Sequence, residues 1–172
     1  MNWLKLLRRK YDTIAGLSKS ERSLLFQALW LLPLVAILVQ TKGLRFTRSL
    51  LLQLPLPKYS SPNPPPLDAV EIQVWTTVRL VRVAIGYNYL WTNCLKQSLV
   101  LWILLRSQGI ISELRIGIQR STKFSAHAWV EYQGIVLNDT DDVHQRFQAF
   151  DRSVEQPIQE NCERNCRADS YQ

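Results

Sequence analysis

Six of the eight prolines fall within residues 55–66, the run Pro55-Leu56-Pro57-Lys58-Tyr59-Ser60-Ser61-Pro62-Asn63-Pro64-Pro65-Pro66. Proline has no backbone N–H and a fixed φ, so this run can neither continue a helix nor pair as a central strand. It predicts an extended linker between a front end, residues 1–54, and a body, residues 67–150, followed by a polar tail, residues 151–172. Service as a ligand for a proline-binding module is the lesser reading of the same run. A chain of 172 residues has room for one domain with a real core and a small appendage, not for two full domains.

The charge follows the same division. Residues 1–60 carry ten Lys/Arg against Asp12 and Glu21, a net +8, whereas the rest hold eleven against twelve, a net −1. A neutral body behind a basic, leucine-rich front suggests an acidic partner or an anionic lipid surface, or else solvated cations that keep an apolar helix soluble. Nucleic acid is not expected, because no zinc-finger spacing, recognition-helix pattern or RNA-binding aromatic motif accompanies the charge. The most apolar stretch, Leu24 to Val39, is sixteen residues long, short of the roughly 20 that cross a bilayer, and basic residues flank both sides. No small-residue cleavage site follows it, so a helix buried in protein is expected ahead of interfacial docking, a span or a signal peptide. Three cysteines, Cys94, Cys162 and Cys166, are too few for a disulfide framework and point to a reducing compartment, and Cys162 with Cys166 lack the further ligands a zinc site needs. No metal or cofactor is expected.

Helix signals punctuate both parts. Ser18-Lys19-Ser20-Glu21 has capping-box spacing and predicts a helix start near Lys19, which Gly43 would stop; a short second helix then runs from Leu44 to Leu54. Asp68 and Glu71 repeat the capping-box spacing before a helix to about Ile85 that places Val70, Val74, Val78 and Val81 on one face. A third helix starts at Asn93, its N-cap, with a stripe of Leu95, Leu99, Trp102, Ile103 and Leu105, and ends at Gln108-Gly109. Beyond Gly109 the period changes to alternation: a strand over Ile111–Gln119, a polar turn, a second strand over Ala126–Tyr132, then Gln133-Gly134 and Ile135–Asp139. Residues 140–145 read as a solvated loop containing His144, with a further short strand around Arg146–Phe150.

Cys94 lies in the first turn of the third helix, where unpaired amides and the helix dipole favour a thiolate and offer one oxyanion donor. A base must accompany it. A two-residue loop at Gln133-Gly134 would pair Ala128 with Asp139 and turn His127 to the other face; a three-residue loop closed by Gly134 shifts the register by one and pairs His127 with Asp139. The second is expected, since Tyr132-Gln133 is a poor pair for two positive φ angles while Gly134 at the last position suits the bulge. It makes His127 and Asp139 cross-strand neighbours, a geometry in which the carboxylate orients the imidazole. The alternatives are a structural cysteine on an apolar helix and a core histidine. Trp91, Trp102 and Trp129 are read as core residues.

Several segments together carry a resemblance: Cys94-Leu95-Lys96-Gln97-Ser98-Leu99, Leu104-Leu105-Arg106 to Gly109-Ile110, Leu114-Arg115-Ile116-Gly117-Ile118, Ala126-His127-Ala128-Trp129-Val130-Glu131, and Gly134 with Val136-Leu137-Asn138-Asp139. In order and in the spacings of 33 and 12 residues between Cys94, His127 and Asp139, this resembles the stand-alone leader peptidases of lasso-peptide biosynthesis, in the transglutaminase-like superfamily. The resemblance implies an α+β, papain-like core with a nucleophile helix on an antiparallel sheet, preceded by a helical segment. Carried over by position, it makes Cys94 the nucleophile, His127 the base and Asp139 the orienting acid of a cytoplasmic cysteine protease. It further implies a precursor-peptide substrate, a separate leader-recognition protein and a macrolactam cyclase that takes the freed amine. Residues 1–54 then serve as a docking surface for protein or, through peripheral contact, for membrane. An amide transferase on the same scaffold and a non-enzymatic basic adaptor are the alternatives.

Overall fold

The computed structural model describes residues 16–53, 66–88, 92–120 and 124–149. The proline-rich linker, apart from Pro66, Trp91 and the tail with Cys162 and Cys166 lie outside the described residues.

The first helix, α1 (Lys19–Gln53), starts as its capping box dictates. The Glu21 N–H donates to Ser18 Oγ at 3.2 Å and the Ser18 N–H to Glu21 Oε2 at 2.9 Å. Its backbone breaks at Gly43, at φ 78° and ψ 171°, so α1 is two helical stretches meeting at a kink that glycine adopts without a Cβ penalty. Next, α2 (Leu67–Tyr87) departs from expectation at its start. Pro66 is the N-cap and no side chain caps the helix. Asp68 is already inside the first turn, so the Asp68–Glu71 box does not form; the Pro66 carbonyl accepts from the Ala69 N–H at 2.9 Å instead. Val74, Val78 and Val81 are buried as their spacing requires.

The third helix, α3 (Cys94–Ser107), packs with α1 and α2 around one core built from residues such as Leu32, Val35, Val74, Leu99 and Trp102. Strands β1 (Glu113–Arg120), β2 (Phe124–Tyr132), β3 (Ile135–Val136) and β4 (Gln148–Ala149) form one antiparallel sheet in the order β3-β2-β1-β4, with a short helix α4 (Val143–Arg146) before β4. Strand side chains alternate between faces. Leu114 and Val130, opposite each other, join the three-helix core, while Trp129 points the other way into a smaller cluster with Val136, Val143 and Phe147.

The hairpin turn corrects the expected register. Tyr132 pairs with Ile135 and Glu131 with Val136, so the loop has two residues, with φ of 50° at Gln133 and 81° at Gly134. Positive φ at both positions is the turn whose twist matches the flanking strands, and Gln133 tolerates it. Residues 140–145 also differ from a solvated loop: Val143 is fully buried and the chain turns through α4, which takes in Arg146, into a β4 confined to Gln148–Ala149, whose Ala149 pairs with Gly117.

Candidate active site

With the two-residue turn, a continued ladder would set Asp139 opposite Ala128 and leave His127 without it. The ladder does not continue. The Leu137 N–H still donates to the Val130 carbonyl at 2.9 Å, but the next partner of β2 is a side chain: the Val130 N–H donates to Asn138 Oδ1 at 2.8 Å. The backbone thus leaves β2 at Asn138 and carries Asp139 to His127, where Nε2 and Oδ2 share a hydrogen bond. The expected pair forms, by departure from the sheet and not by register.

The edge of β2 that β3 vacates is closed by α3. Backbone groups two residues apart on a strand point to the same side, so the Ala128 carbonyl faces this open edge like that of Val130. Ser98 Oγ donates to the Ala128 carbonyl at 2.9 Å, and Asn138 Nδ2 donates to Ser98 Oγ at 2.9 Å. Ser98 is fully buried. This bridge ties α3 to the two backbone segments that carry His127 and Asp139. Cys94 stands four residues before Ser98, one turn along the same helical face. It occupies the first turn of α3, beside the N-cap Asn93, whose Oδ1 accepts from the Lys96 N–H at 3.1 Å. The cysteine is half-buried and its thiol is free of any disulfide.

Asp139 is anchored from behind. Its Oδ1 accepts from the Thr140 N–H at 2.7 Å and from Arg146 Nη2 at 3.0 Å, which reserves Oδ2 for His127. Arg146 also donates to Thr140 Oγ1 at 2.9 Å and pairs with Asp142 at 3.0 Å. Burial raises the pKa of the Asp139 carboxyl, but the Thr140 N–H, His127 and Arg146 together outweigh it and hold the group below its ordinary value. In return, the hydrogen bond to Asp139 raises the pKa of Arg146. Asp139 is therefore an anion across the neutral range.

The imidazole is held by rings. Phe147 stacks on it with centroids 4.9 Å apart, and the Trp129 ring stacks near it at 6.2 Å. Trp129 is fully buried and its Nε1–H donates to Glu131 Oε1 at 2.6 Å. His144 is no lone solvated residue: its ring meets the edge of Trp129 at 5.7 Å, and its Nε2 lies 3.4 Å from Glu131 Oε1. Opposite His127 on β1 sits Gly117, where the Trp129 ring leaves no room for a side chain.

Ser98, Asn138, Thr140 and Arg146 were not singled out by sequence. Ser98 closes the polar run Lys96-Gln97-Ser98 and Asn138 opens the polar run Asn138-Asp139-Thr140, so neither stands out from its neighbours. Arg146 carries no signal until the turn through α4 brings it back to Asp139.

A helix with a cysteine in its first turn thus packs on an antiparallel sheet that holds a His–Asp pair, in an α+β architecture. The family model of the Transglutaminase-like superfamily matches residues 31–151, and the chain belongs to that superfamily. The superfamily includes both cysteine proteases and transferases. The matched region begins within α1, which shares its core with α2 and α3. No curated protein and no solved structure matches the chain.

Proposed function

We propose that the protein is a cysteine peptidase that removes the leader from a ribosomally made lasso-peptide precursor, with Cys94 as nucleophile, His127 as general base and acid, and Asp139 as the orienting anion. The observation that carries this reading is the His127–Asp139 pair, fixed through Asp139 Oδ1 and set beside the helix that presents Cys94. A carboxylate anchored on one oxygen and bonded to imidazole by the other selects one tautomer and stabilises the imidazolium, which is the task of the third member of a nucleophilic triad.

In the first half-reaction His127 takes the thiol proton and the Cys94 sulfur attacks the carbonyl carbon of the last leader residue. The oxyanion forms at the start of α3, where backbone N–H groups are unpaired within the helix. As the C–N bond breaks, His127 returns the proton to the departing amine of the core peptide, leaving a thioester on Cys94. Water then loses a proton to His127 and attacks the thioester; the C–S bond breaks, the thiol is regenerated and the leader departs as a carboxylic acid. The freed amine is the group a separate macrolactam cyclase requires. A separate leader-recognition protein presents the precursor, and the reaction belongs in the cytoplasm.

The test is to incubate the protein with a precursor peptide and its leader-binding protein, beside Cys94→Ala, and to read product masses. The wild type yields leader acid and core amine while the variant yields neither. A leader joined to an added amine would assign the transferase chemistry, and cleavage by Cys94→Ala would remove the proposal.

A further inference from the structure

The inward face of α1 is ordinary core: Leu25, Ala28, Leu32, Val35 and Ala36 are each at most 3% exposed. Its outward face is not an ordinary surface. Phe26, Trp30, Leu34 and Ile37 recur at helical spacing and are 62%, 66%, 51% and 50% exposed. Phe26 and Trp30 pack on each other, with ring centroids 6.2 Å apart, so the stripe is a continuous apolar ridge. A soluble helix with one buried face normally turns charged and polar residues outward. Here the charges stand at the ends of the ridge, with exposed Lys19 and Arg22 before it and exposed Lys42 and Arg45 after it. No Asp or Glu follows Glu21 in α1, and Glu21 itself pairs with Arg79 at 2.6 Å.

We propose that this outer ridge of α1 seats in the interface of an anionic lipid bilayer, lying in the membrane plane with its flanking Lys and Arg residues on headgroup phosphates. Although α1 is apolar enough and long enough to cross a membrane, its inward half belongs to the same core as Val78, Leu99 and Trp102. Spanning would tear that core open, whereas docking in the plane uses only the face already exposed. An apolar face carrying Trp and Phe, bounded by cations and without acidic residues, is the composition of an interfacial helix. The charge selects the occupant: a net +8 over residues 1–60 complements anionic lipid and would be repelled by a second copy of the same surface. This inference stands whether or not the peptidase reading holds.

The experiment is flotation of the full chain with phosphatidylcholine vesicles and with vesicles containing one quarter phosphatidylglycerol. The wild type floats with the anionic vesicles and is released as salt rises from about 0.1 M to about 1 M, where the Debye length falls from about 10 Å to about 3 Å. Trp30→Ser and Leu34→Ser each lower partitioning by about tenfold, the loss expected from one large apolar side chain. Lys42→Gln with Arg45→Gln lowers it by about fivefold per charge on anionic vesicles only. These sites are exposed, so the far-ultraviolet circular dichroism of each variant should match the wild type. Failure of the folded wild type to float with anionic vesicles overturns the proposal, as does equal binding by the Trp30 and Leu34 variants. Self-association of lipid-free protein that those variants abolish, without vesicle binding, would assign the ridge to a second copy instead.

Discussion

Gly117 lies opposite His127 on the neighbouring strand, and its missing side chain makes the histidine's setting possible. A Cβ at this position would stand 2.9 Å from Trp129 Cη2 and 3.0 Å from both Trp129 Cζ3 and Phe147 Cβ. Carbon atoms in ordinary contact are about 3.5–4.0 Å apart, so Gly117→Ala drives roughly 0.5–1 Å of overlap into the Trp129 ring and the Cβ of Phe147, the two residues whose rings stack with the imidazole. Neither side chain yields freely: Trp129 is 0% exposed and bonded to Glu131, and Phe147 is 9% exposed. Overpacking of this kind costs about 1–3 kcal/mol, and three contacts onto fixed atoms place it in the upper part of that range. Replacing glycine in a strand recovers about 0.5–1 kcal/mol of backbone entropy. The net loss is about 1–2.5 kcal/mol, or a fall in Tm of about 2–10 °C for a chain of this size. Moving the rings also moves His127, and a displacement approaching 1 Å lowers the cleavage rate by about 10- to 100-fold. Thermal unfolding followed by circular dichroism and cleavage followed by mass spectrometry read the two effects. Trp129→Phe, which removes the Cη2 and Cζ3 contacts of the indole, should make the double variant less destabilised than the sum of the single changes. A Gly117→Ala protein with the wild-type Tm and an undiminished rate would show that the space beside Trp129 does not position His127.

Ser98→Ala strands Asn138 Nδ2 and the Ala128 carbonyl, and should cost about 1–3 kcal/mol, measured by urea denaturation; a midpoint equal to the wild type would show that the bridge carries no weight. Arg146→Gln should lower kcat with KM nearly unchanged, because it frees one oxygen of Asp139 without touching substrate; a change confined to KM would place Arg146 in peptide binding instead. The depressed Asp139 carboxyl stabilises the fold above its ordinary value of 3.8, and this contribution is lost as pH falls from there through its lowered folded value. The stability difference between wild type and Asp139→Asn should therefore be constant at neutral pH and shrink below about pH 4; a difference unaffected by acid would contradict the anchoring.

Local signals located the helices well because each is a short-range contest that local chemistry decides. The Ser18–Glu21 box, the break at Gly43, the Asn93 cap and the valine stripe of α2 all act within one or two turns. The Asp68–Glu71 box fails for an equally local reason: Pro66 starts the helix early enough to put Asp68 inside it. The hairpin shows where such reasoning stops. Preference against positive φ at Gln133 pointed to a three-residue loop, yet strand twist outweighed it, and His127 and Asp139 still met because Asn138 replaces the backbone in the ladder. That substitution depends on Ser98, forty residues away in sequence, and no pattern near Asp139 announces it. Arg146 was illegible for the same reason, since its role exists only after α4 has turned the chain back. The outer ridge of α1 was visible as apolar sequence, but which half of the helix would be buried depended on how α2 and α3 pack against it.

The central claim, that the sulfur of Cys94 opens the leader's last peptide bond with help from the His127–Asp139 pair, is tested most directly by trapping the acyl group. A leader-derived peptide ester, which acylates a thiol faster than the amide does, is mixed with the protein, quenched in acid and mapped by mass spectrometry. The leader acyl group is expected on Cys94 alone, removable by hydroxylamine, with its formation strongly slowed in His127→Ala. Turnover with no adduct on Cys94, or equal turnover in Cys94→Ala, would contradict it.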